Sequence, residues 1–215
     1  MGETALTWPG VPHYFESHPQ VPSEPGSVDL VLTDLHLRLR TDRGVFSGDR
    51  VDPGTRVLLE SVPPPPEQGD LLDLGCGYGP IALTMASRSP TARVWAVDTN
   101  ERALALCVRN AGEAGLAGVR CRAPEAVDPG LRFAAIWSNP PVRIGKPALH
   151  DLLTTWLPRL APGGRAHLVV HRHLGADSLH RWLAERGFAA SRVTSRSGYR
   201  VLRVAALEVS DDDGA

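Results

Sequence analysis

The chain has 215 residues, of which 42% are hydrophobic and 22% charged, a composition typical of one globular domain with a sizeable core. Its 23 basic and 24 acidic residues give a formal net charge of −1, which argues against a domain that is basic throughout. The sequence shows no long apolar run, no basic and apolar leader, and three scattered cysteines without a CxxC pair. These features predict a cytoplasmic protein without a membrane span, a disulfide framework or a metal site.

The chain is expected to divide into an arm, one domain and a tail. Residues 1–27 hold five prolines, which block helix and central strand, so they predict an irregular arm. The domain is expected over residues 28–207, with an N-terminal extension at 28–62 and a core at 69–207. Residues 208–215 form an acidic tail.

The extension begins with an alternating pattern over residues 28–40, which predicts a half-buried strand. A turn follows, and Val45-Phe46 is expected to begin the partner strand of a β-hairpin. Asp52-Pro53 is typical of the N-cap and first residue of a helix, which is expected to run to Glu60.

From Gly69 onward strands and helices alternate. Strands are expected near 71–74, 93–97, 118–121, 133–138, 165–170, 188–194 and 199–207. Helices are expected near 80–88, 101–114, 147–160 and 176–186. The loop between the last two strands is so short that they must pair antiparallel. The predicted fold is therefore α/β, with a doubly wound Rossmann-like sheet that is mostly parallel and ends in a reversed strand.

A glycine-rich turn joins the first core strand to the first core helix. Gly75, Gly77 and Gly79 alternate there, so the backbone can turn tightly and a ligand can approach it closely. The second strand ends at Asp98, where a carboxylate is placed to accept both hydroxyls of a ribose. The pattern also fits a dinucleotide fingerprint. S-adenosylmethionine is favoured because Asp73, expected at the mouth of the turn, would attract an ammonium group and repel a pyrophosphate.

The fourth core strand ends in Asn139-Pro140-Pro141 at the same edge of the sheet. The prolines stiffen the backbone, so the Asn139 side chain and the Pro140 carbonyl can act as two fixed acceptors. An exocyclic or amide nitrogen has two N–H donors that fit them, and its lone pair would then point toward a neighbouring sulfonium methyl group.

These motifs resemble class I S-adenosylmethionine-dependent methyltransferases that modify nitrogen. More narrowly, the chain resembles the small methyltransferase domain family of ribosomal RNA guanine-N2 methyltransferases, in its compact stand-alone branch. The likeness covers about residues 28–207 and includes four further stretches, Gly44-Val45-Phe46-Ser47, Asp52-x-Gly54-Thr55, Asn139 to Lys146 and Gly198-Tyr199-Arg200-Val201-Leu202.

The resemblance implies roles for three sets of residues. The cofactor S-adenosylmethionine would be held by Asp73, Gly75, Cys76, Gly77, Gly79, Asp98, Thr99, Phe46 and Thr55. The target amine would be held by the catalytic pair Asn139 and Pro140. The substrate would be bordered by Pro141, Val142, Arg143, Lys146, Arg172 and Arg200.

The sequence departs from the family pattern at two places. Many relatives carry an aromatic residue after the second proline to stack on the target base, and here that residue is Val142. Many also carry an acid after the third core strand to read the adenine amine, and here Glu125 or a backbone group must serve.

The favoured function is methylation of an exocyclic amine of an RNA base, with guanine N2 of ribosomal RNA as the preferred target. The alternatives are methylation of a protein glutamine or small-molecule amine, an NAD-type oxidoreductase, and a catalytically inactive RNA-binding module. Charge distribution supports RNA: residues 143–203 carry 11 basic and 3 acidic side chains, whereas residues 1–142 carry 12 and 17.

Overall fold

The computed structural model describes residues 21–206, so the acidic tail and most of the predicted arm lie outside the described residues. The strands are β1 Gly26–Val31, β2 His36–Thr41, β3 Asp70–Leu74, β4 Arg93–Val97, β5 Val119–Arg122, β6 Phe133–Ser138, β7 Leu160–His171, β8 Phe188–Arg196 and β9 Tyr199–Ala206. The helices are α1 Pro53–Ser61, α2 Pro80–Arg88, α3 Glu101–Glu113, α4 Lys146–Trp156 and α5 Ala176–Glu185.

Seven of the strands form one sheet in the order β5-β4-β3-β6-β7-β9-β8. The strands from β5 to β7 are parallel, and β9 pairs antiparallel with both β7 and β8. This arrangement confirms the predicted mostly parallel sheet with a reversed strand at its end. The chain order reverses between β3 and β6, and ligands of open α/β sheets bind at such a switch point, beyond the carboxyl ends of the strands.

Helices cover the sheet on both faces and create two apolar layers. On one face α1, α2, α3 and the N-terminal hairpin pack against the sheet through residues that include Leu58, Leu83 and Cys107. On the other face α4 and α5 pack through residues that include Leu153 and Leu183. The central strands are therefore buried on both sides, as their continuous apolar sequences predict.

The N-terminal hairpin has a different register from the one expected. β1 and β2 pair with each other, joined by a turn at residues 32–35, so the segment 28–40 predicted as one strand contains most of both strands. Val45 and Phe46 lie in a turn and form no partner strand, which corrects the sequence prediction. The turn is marked by a change in which positions are buried. The buried positions are even-numbered in β1 and odd-numbered in β2, as expected when a turn separates two strands.

The helix predicted over 147–160 ends earlier, at Trp156. A 3-10 turn then leads directly into β7, whose first residue, Leu160, pairs with Phe133 on the neighbouring β6. Pro158 lies in this turn, where its missing N–H and fixed backbone angle favour an end to the α-helix. Every helix among residues 21–206 is too short or too polar to cross a lipid bilayer.

Candidate active site

The glycine loop after β3 combines close packing at one glycine with open space at another. Gly79 has φ +100°, and a Cβ built there would lie 2.7 Å from the Cys107 sulfur, so α2 and α3 approach each other through this position. Gly77 has φ +55° and no atom within 4 Å of a built Cβ. The loop thus offers free backbone surface where a ligand could lie.

Asp73 is fully buried, and its side chain contacts the first turn of α2. Its Oδ2 accepts a hydrogen bond of 2.8 Å from the amide of Ala82, while Oδ1 is buried without a partner. Burial, with the nearby Asp98 charge, raises the pKa of Asp73 well above its usual value. An unpartnered buried carboxylate oxygen is an acceptor that a cationic ligand group could satisfy, so this residue fits a methionine ammonium.

Asp98 links the glycine loop to the start of α3. Its Oδ2 accepts from the amide of Gly77 at 2.8 Å, and its Oδ1 accepts from the amide of Asn100 at 2.9 Å. Loss of solvent around the carboxylate raises its pKa. The side chain remains partly exposed, and a carboxylate has further lone pairs, so Asp98 can still accept from ribose hydroxyls. Thr99, the next residue, is exposed at the same edge.

Phe46 lies in a loop that is tied to this edge by a buried asparagine. The Asn100 amide donates to the carbonyl of Gly44 at 3.0 Å, and Asn100 is also the N-cap of α3. Phe46 itself is 41% exposed, which is unusual for so large an apolar side chain. The loop therefore carries an exposed aromatic ring two residues after the point where it is tied to the N-terminus of α3.

The Asn139 side chain has a defined orientation. Its Nδ2 donates to Asp52 Oδ1 at 2.7 Å and to Thr55 Oγ1 at 3.1 Å, both at the N-terminus of α1. Because these two bonds use both N–H donors of the amide, the Asn139 Oδ1 is left as the atom that can accept from a substrate. Asp52 performs a second task, since the same Oδ1 accepts from the Thr55 amide and caps α1.

The Asn-Pro-Pro corner adjoins the glycine loop. A Cβ built on Gly75 would lie 4.0 Å from Pro141 Cδ, so the predicted cofactor loop and the predicted amine site are neighbours. The Pro140 carbonyl accepts from the Val142 amide at 2.7 Å, across Pro141 at φ −73° and ψ 69°, the geometry of an inverse γ-turn. One lone pair of that carbonyl is thereby engaged, and the second remains for a substrate N–H.

Thr55, which the resemblance assigns to the cofactor site, contacts the Asn139 side chain. Its side chain is 4% exposed and its hydroxyl contacts Asn139, so in this structure it supports the amine site. Spacing alone could not reveal this contact, because the two residues lie 84 positions apart. The role of Asp52 beyond capping was missed for the same reason.

The three cysteines, scattered in sequence, gather beneath the glycine loop. Cys76, Cys107 and Cys121 are all buried as free thiols, and the Cys107 thiol interacts with both of the others. Burial is the main cause that raises the pKa of Cys76 to about 12. A thiol that stays protonated is a poor nucleophile, so Cys76 can contribute only packing and its backbone groups to the site.

The four basic residues among the predicted substrate residues separate into two groups. Arg143, Lys146 and Arg172 are exposed and have no acidic partner in an ion pair among residues 21–206, whereas Arg200 pairs with Asp177. The first three lie on the segments that follow β6 and β7, at the ligand edge of the sheet. No group of three or more His, Cys, Asp or Glu side chains in the described range is suited to hold a metal ion.

Two buried asparagines, Asn110 in α3 and its N-cap Asn100, also have bonding roles that the sequence analysis missed. Asn110 Oδ1 accepts from the Arg40 amide at 2.7 Å, and its Nδ2 donates to the carbonyls of Arg40 and Tyr78, at 3.0 Å and 2.8 Å. It therefore joins the N-terminal hairpin to the glycine loop. Asn100 joins the Phe46 loop to the start of α3. The available signal was a polar residue among the apolar positions of the helix for Asn110, and an N-cap residue type just before the helix for Asn100.

Comparison with known proteins identifies the family of the chain. Residues 36–203 match the family model described as methyltransferase small domain. The chain is 34% identical over 194 residues to the uncharacterized protein YbxB of Bacillus subtilis, covering 89% of this chain and 96% of that protein. It is 38% identical over 165 residues to ribosomal RNA small subunit methyltransferase C of Ectopseudomonas mendocina, covering 68% of this chain and 48% of that one.

Among solved structures, one similar protein is the T. thermophilus 16S rRNA N2 G1207 methyltransferase RsmC in complex with AdoMet and guanosine. It superposes with a TM-score of 0.73 at 26% identity, over 87% of this chain and 52% of that chain. The chain thus spans about half the length of these ribosomal RNA methyltransferases. The comparisons support S-adenosylmethionine, not a dinucleotide, as the cofactor. The chain belongs to the methyltransferase small domain family and is an S-adenosylmethionine-dependent methyltransferase.

Proposed function

We propose that this protein methylates an exocyclic amine of an RNA base, with guanine N2 of ribosomal RNA as the target. The observation that carries the proposal is the orientation of Asn139, whose Nδ2 is engaged by Asp52 and Thr55 so that Oδ1 is free to accept. The names of two similar proteins, a small-subunit ribosomal RNA methyltransferase and a guanine-N2 methyltransferase, support the same target.

The chemistry of the site follows from two acceptors and a rigid corner. One N–H of the target amine would donate to Asn139 Oδ1 and the other to the free lone pair of the Pro140 carbonyl. When bound, S-adenosylmethionine supplies an electrophilic methyl group on a sulfonium and leaves as a neutral thioether. The two acceptors aim the nitrogen lone pair and stabilise the positive charge that grows on nitrogen before a proton is lost. No strong base is required.

The target base must be unpaired or turned out of a helix to reach this corner. The exposed basic side chains Arg143, Lys146 and Arg172 supply charge for the phosphates that flank such a base. Their position after β6 and β7 favours RNA over a small-molecule amine, which would need no extended basic rim.

The first test is transfer of a radiolabelled methyl group to RNA, protein and metabolite fractions of cells that lack the protein. We expect label in RNA, and label in protein alone would contradict the proposal. Asn139→Ala should lower kcat about 100-fold, the usual cost of removing one charge-stabilising group. The affinity for S-adenosylhomocysteine should stay within about twofold, because the Asn139 side chain bonds to Asp52 and Thr55 and not to the glycine loop. Wild-type turnover by this variant would remove Asn139 from the amine site.

A second test uses salt. Each phosphate contact to a single strand contributes a slope of about −0.7 to log K against log salt. Replacing both Arg143 and Lys146 with Gln should therefore reduce the steepness of that slope for RNA binding by about 1.4. Arg200→Gln is the matched control, because that guanidinium is already paired with Asp177 and should change the slope little. RNA binding that does not respond to salt would contradict the phosphate-contacting role.

A further inference from the structure

Aromatic rings gather where β7 ends and β9 begins. His171, the last residue of β7, lies opposite Tyr199, the first residue of β9, in the antiparallel register. The two rings are 4.9 Å apart between centroids and nearly perpendicular, at 83°. His173 lies 5.5 Å from His171. We call Tyr199 and His171 the aromatic pair. Because β9 is antiparallel to β7, its first residue lies at the same sheet edge as the carboxyl ends of β6 and β7.

The aromatic pair adjoins the amine site through Gly54. A Cβ built on Gly54 would lie 2.7 Å from Tyr199 Cε1 and 2.9 Å from Asp52 Oδ1, the oxygen that accepts from Asn139. The Tyr199 ring therefore packs against the turn of α1 that orients Asn139. Only glycine at position 54 leaves room for the Tyr199 ring, so the ring can approach α1 this closely.

The surroundings of the pair suit a nucleic-acid ligand. The Tyr199 side chain is only partly buried, and Arg50 and Arg143 lie close enough to influence its ionisation. Both arginines are exposed and have no ion-pair partner among the described residues. Burial and the nearby Asp52 charge raise the pKa of Tyr199, so the ring stays neutral at physiological pH. Next to the corner itself, Val142 offers no aromatic face.

We propose that Tyr199, supported by His171, is the surface on which the target nucleobase stacks while Asn139 and Pro140 hold its amine. This inference rests on the proposed RNA substrate and specifies which side chain holds the base. Stacking on an aromatic ring is tolerant of base identity, so the pair would supply affinity for the base and the Asn139 corner would supply selection for an amine. The nearby arginines would contact the flanking phosphates.

The test compares two probes on three variants. The probes are a single-stranded RNA heptamer with one central guanine among uridines and the same heptamer with an abasic central position. Wild-type protein should prefer the guanine probe by about 5- to 150-fold, the range that base–aromatic stacking supplies. Tyr199→Leu should lose most of this preference and Tyr199→Phe should keep it. Trp182→Leu is the matched control, because that partly buried ring stacks on His150 at the α4–α5 face of the sheet.

Melting temperature and S-adenosylhomocysteine affinity, measured on every variant, separate a lost stacking surface from a damaged fold. If Tyr199→Leu does not fold, His171→Leu carries the test, because it leaves Tyr199 in place and should still reduce the guanine preference. A folded Tyr199→Leu protein with the full guanine preference would overturn the inference, as would a wild-type protein that binds both probes equally. Neither result would overturn the RNA substrate itself, which the methyl-transfer experiment decides.

Discussion

Asp52 is expected to control catalysis through the orientation of Asn139, although it need not touch the substrate. Asp52→Ser tests this, because serine caps a helix as well as aspartate does and should preserve α1. Its hydroxyl is shorter and neutral, so it cannot both cap the helix and hold the Asn139 amide across the 2.7 Å bond that the carboxylate makes. Asp52→Asn is the conservative partner, since its carbonyl oxygen can accept both bonds that Asp52 Oδ1 accepts.

The magnitude follows from the bond that is lost. A hydrogen bond to a charged group contributes about 1.5–3 kcal/mol, and every 1.4 kcal/mol is a factor of ten. With only the 3.1 Å contact to Thr55 remaining, the Asn139 amide can rotate and present a donor where the substrate needs an acceptor. We therefore expect Asp52→Ser to lower kcat by about 10- to 100-fold, and Asp52→Asn by less than about fivefold.

Single-turnover methyl transfer measures the effect, beside calorimetric titration with S-adenosylhomocysteine and thermal unfolding. Cofactor affinity and melting temperature should stay close to wild type in both variants, because the cap remains. If the loss of cofactor affinity or of stability, expressed as free energy, is as large as the loss in kcat, Asp52 acts only by capping α1. Equal turnover by the Ser and Asp proteins would refute the orienting role outright.

Two further predictions concern stability. Gly79→Ala should destabilise the fold by about 2–4 kcal/mol, because the new methyl group would overlap the Cys107 sulfur and the positive φ is unfavourable for alanine. Gly77→Ala should cost only about 1 kcal/mol, because only the positive φ is unfavourable there. Equal denaturation midpoints for the two would contradict this. Burial is the main cause that lowers the pKa of His167 to about 4. As the pH falls, His167 therefore takes up its proton in the unfolded chain before it does so in the folded protein. The free energy of unfolding keeps its full value above about pH 6.5 and decreases toward pH 4, by up to about 3 kcal/mol. His167→Leu should remove that component from the pH profile of unfolding, and an unchanged profile would contradict it.

The elements of the core could be predicted from local sequence because their ends carry strong chemical signals. Pro80 at the first helical position and the glycines before it define the start of α2, and Asn100 caps α3. The reversed last strand follows from a loop too short for any parallel connection. The hairpin was placed wrongly because alternation alone was followed through a turn, where only the change of parity at residues 32–35 marked the break.

Some features of the site are likewise encoded in the local sequence, and others depend on contacts between distant residues. The sequence by itself determined that a glycine-rich turn and an Asn-Pro-Pro turn each end a strand at the ligand edge of the sheet, since a turn of this kind is encoded in consecutive residues. Only the tertiary structure decided that Asp52, 87 positions before Asn139, turns its amide, that Asp73 is buried with a free oxygen, and that Tyr199 lies against Gly54. The contacts of Asp52 and Tyr199 arise from the packing of α1 on the sheet, and side-chain contacts between residues so far apart have no signature in the spacing of either one.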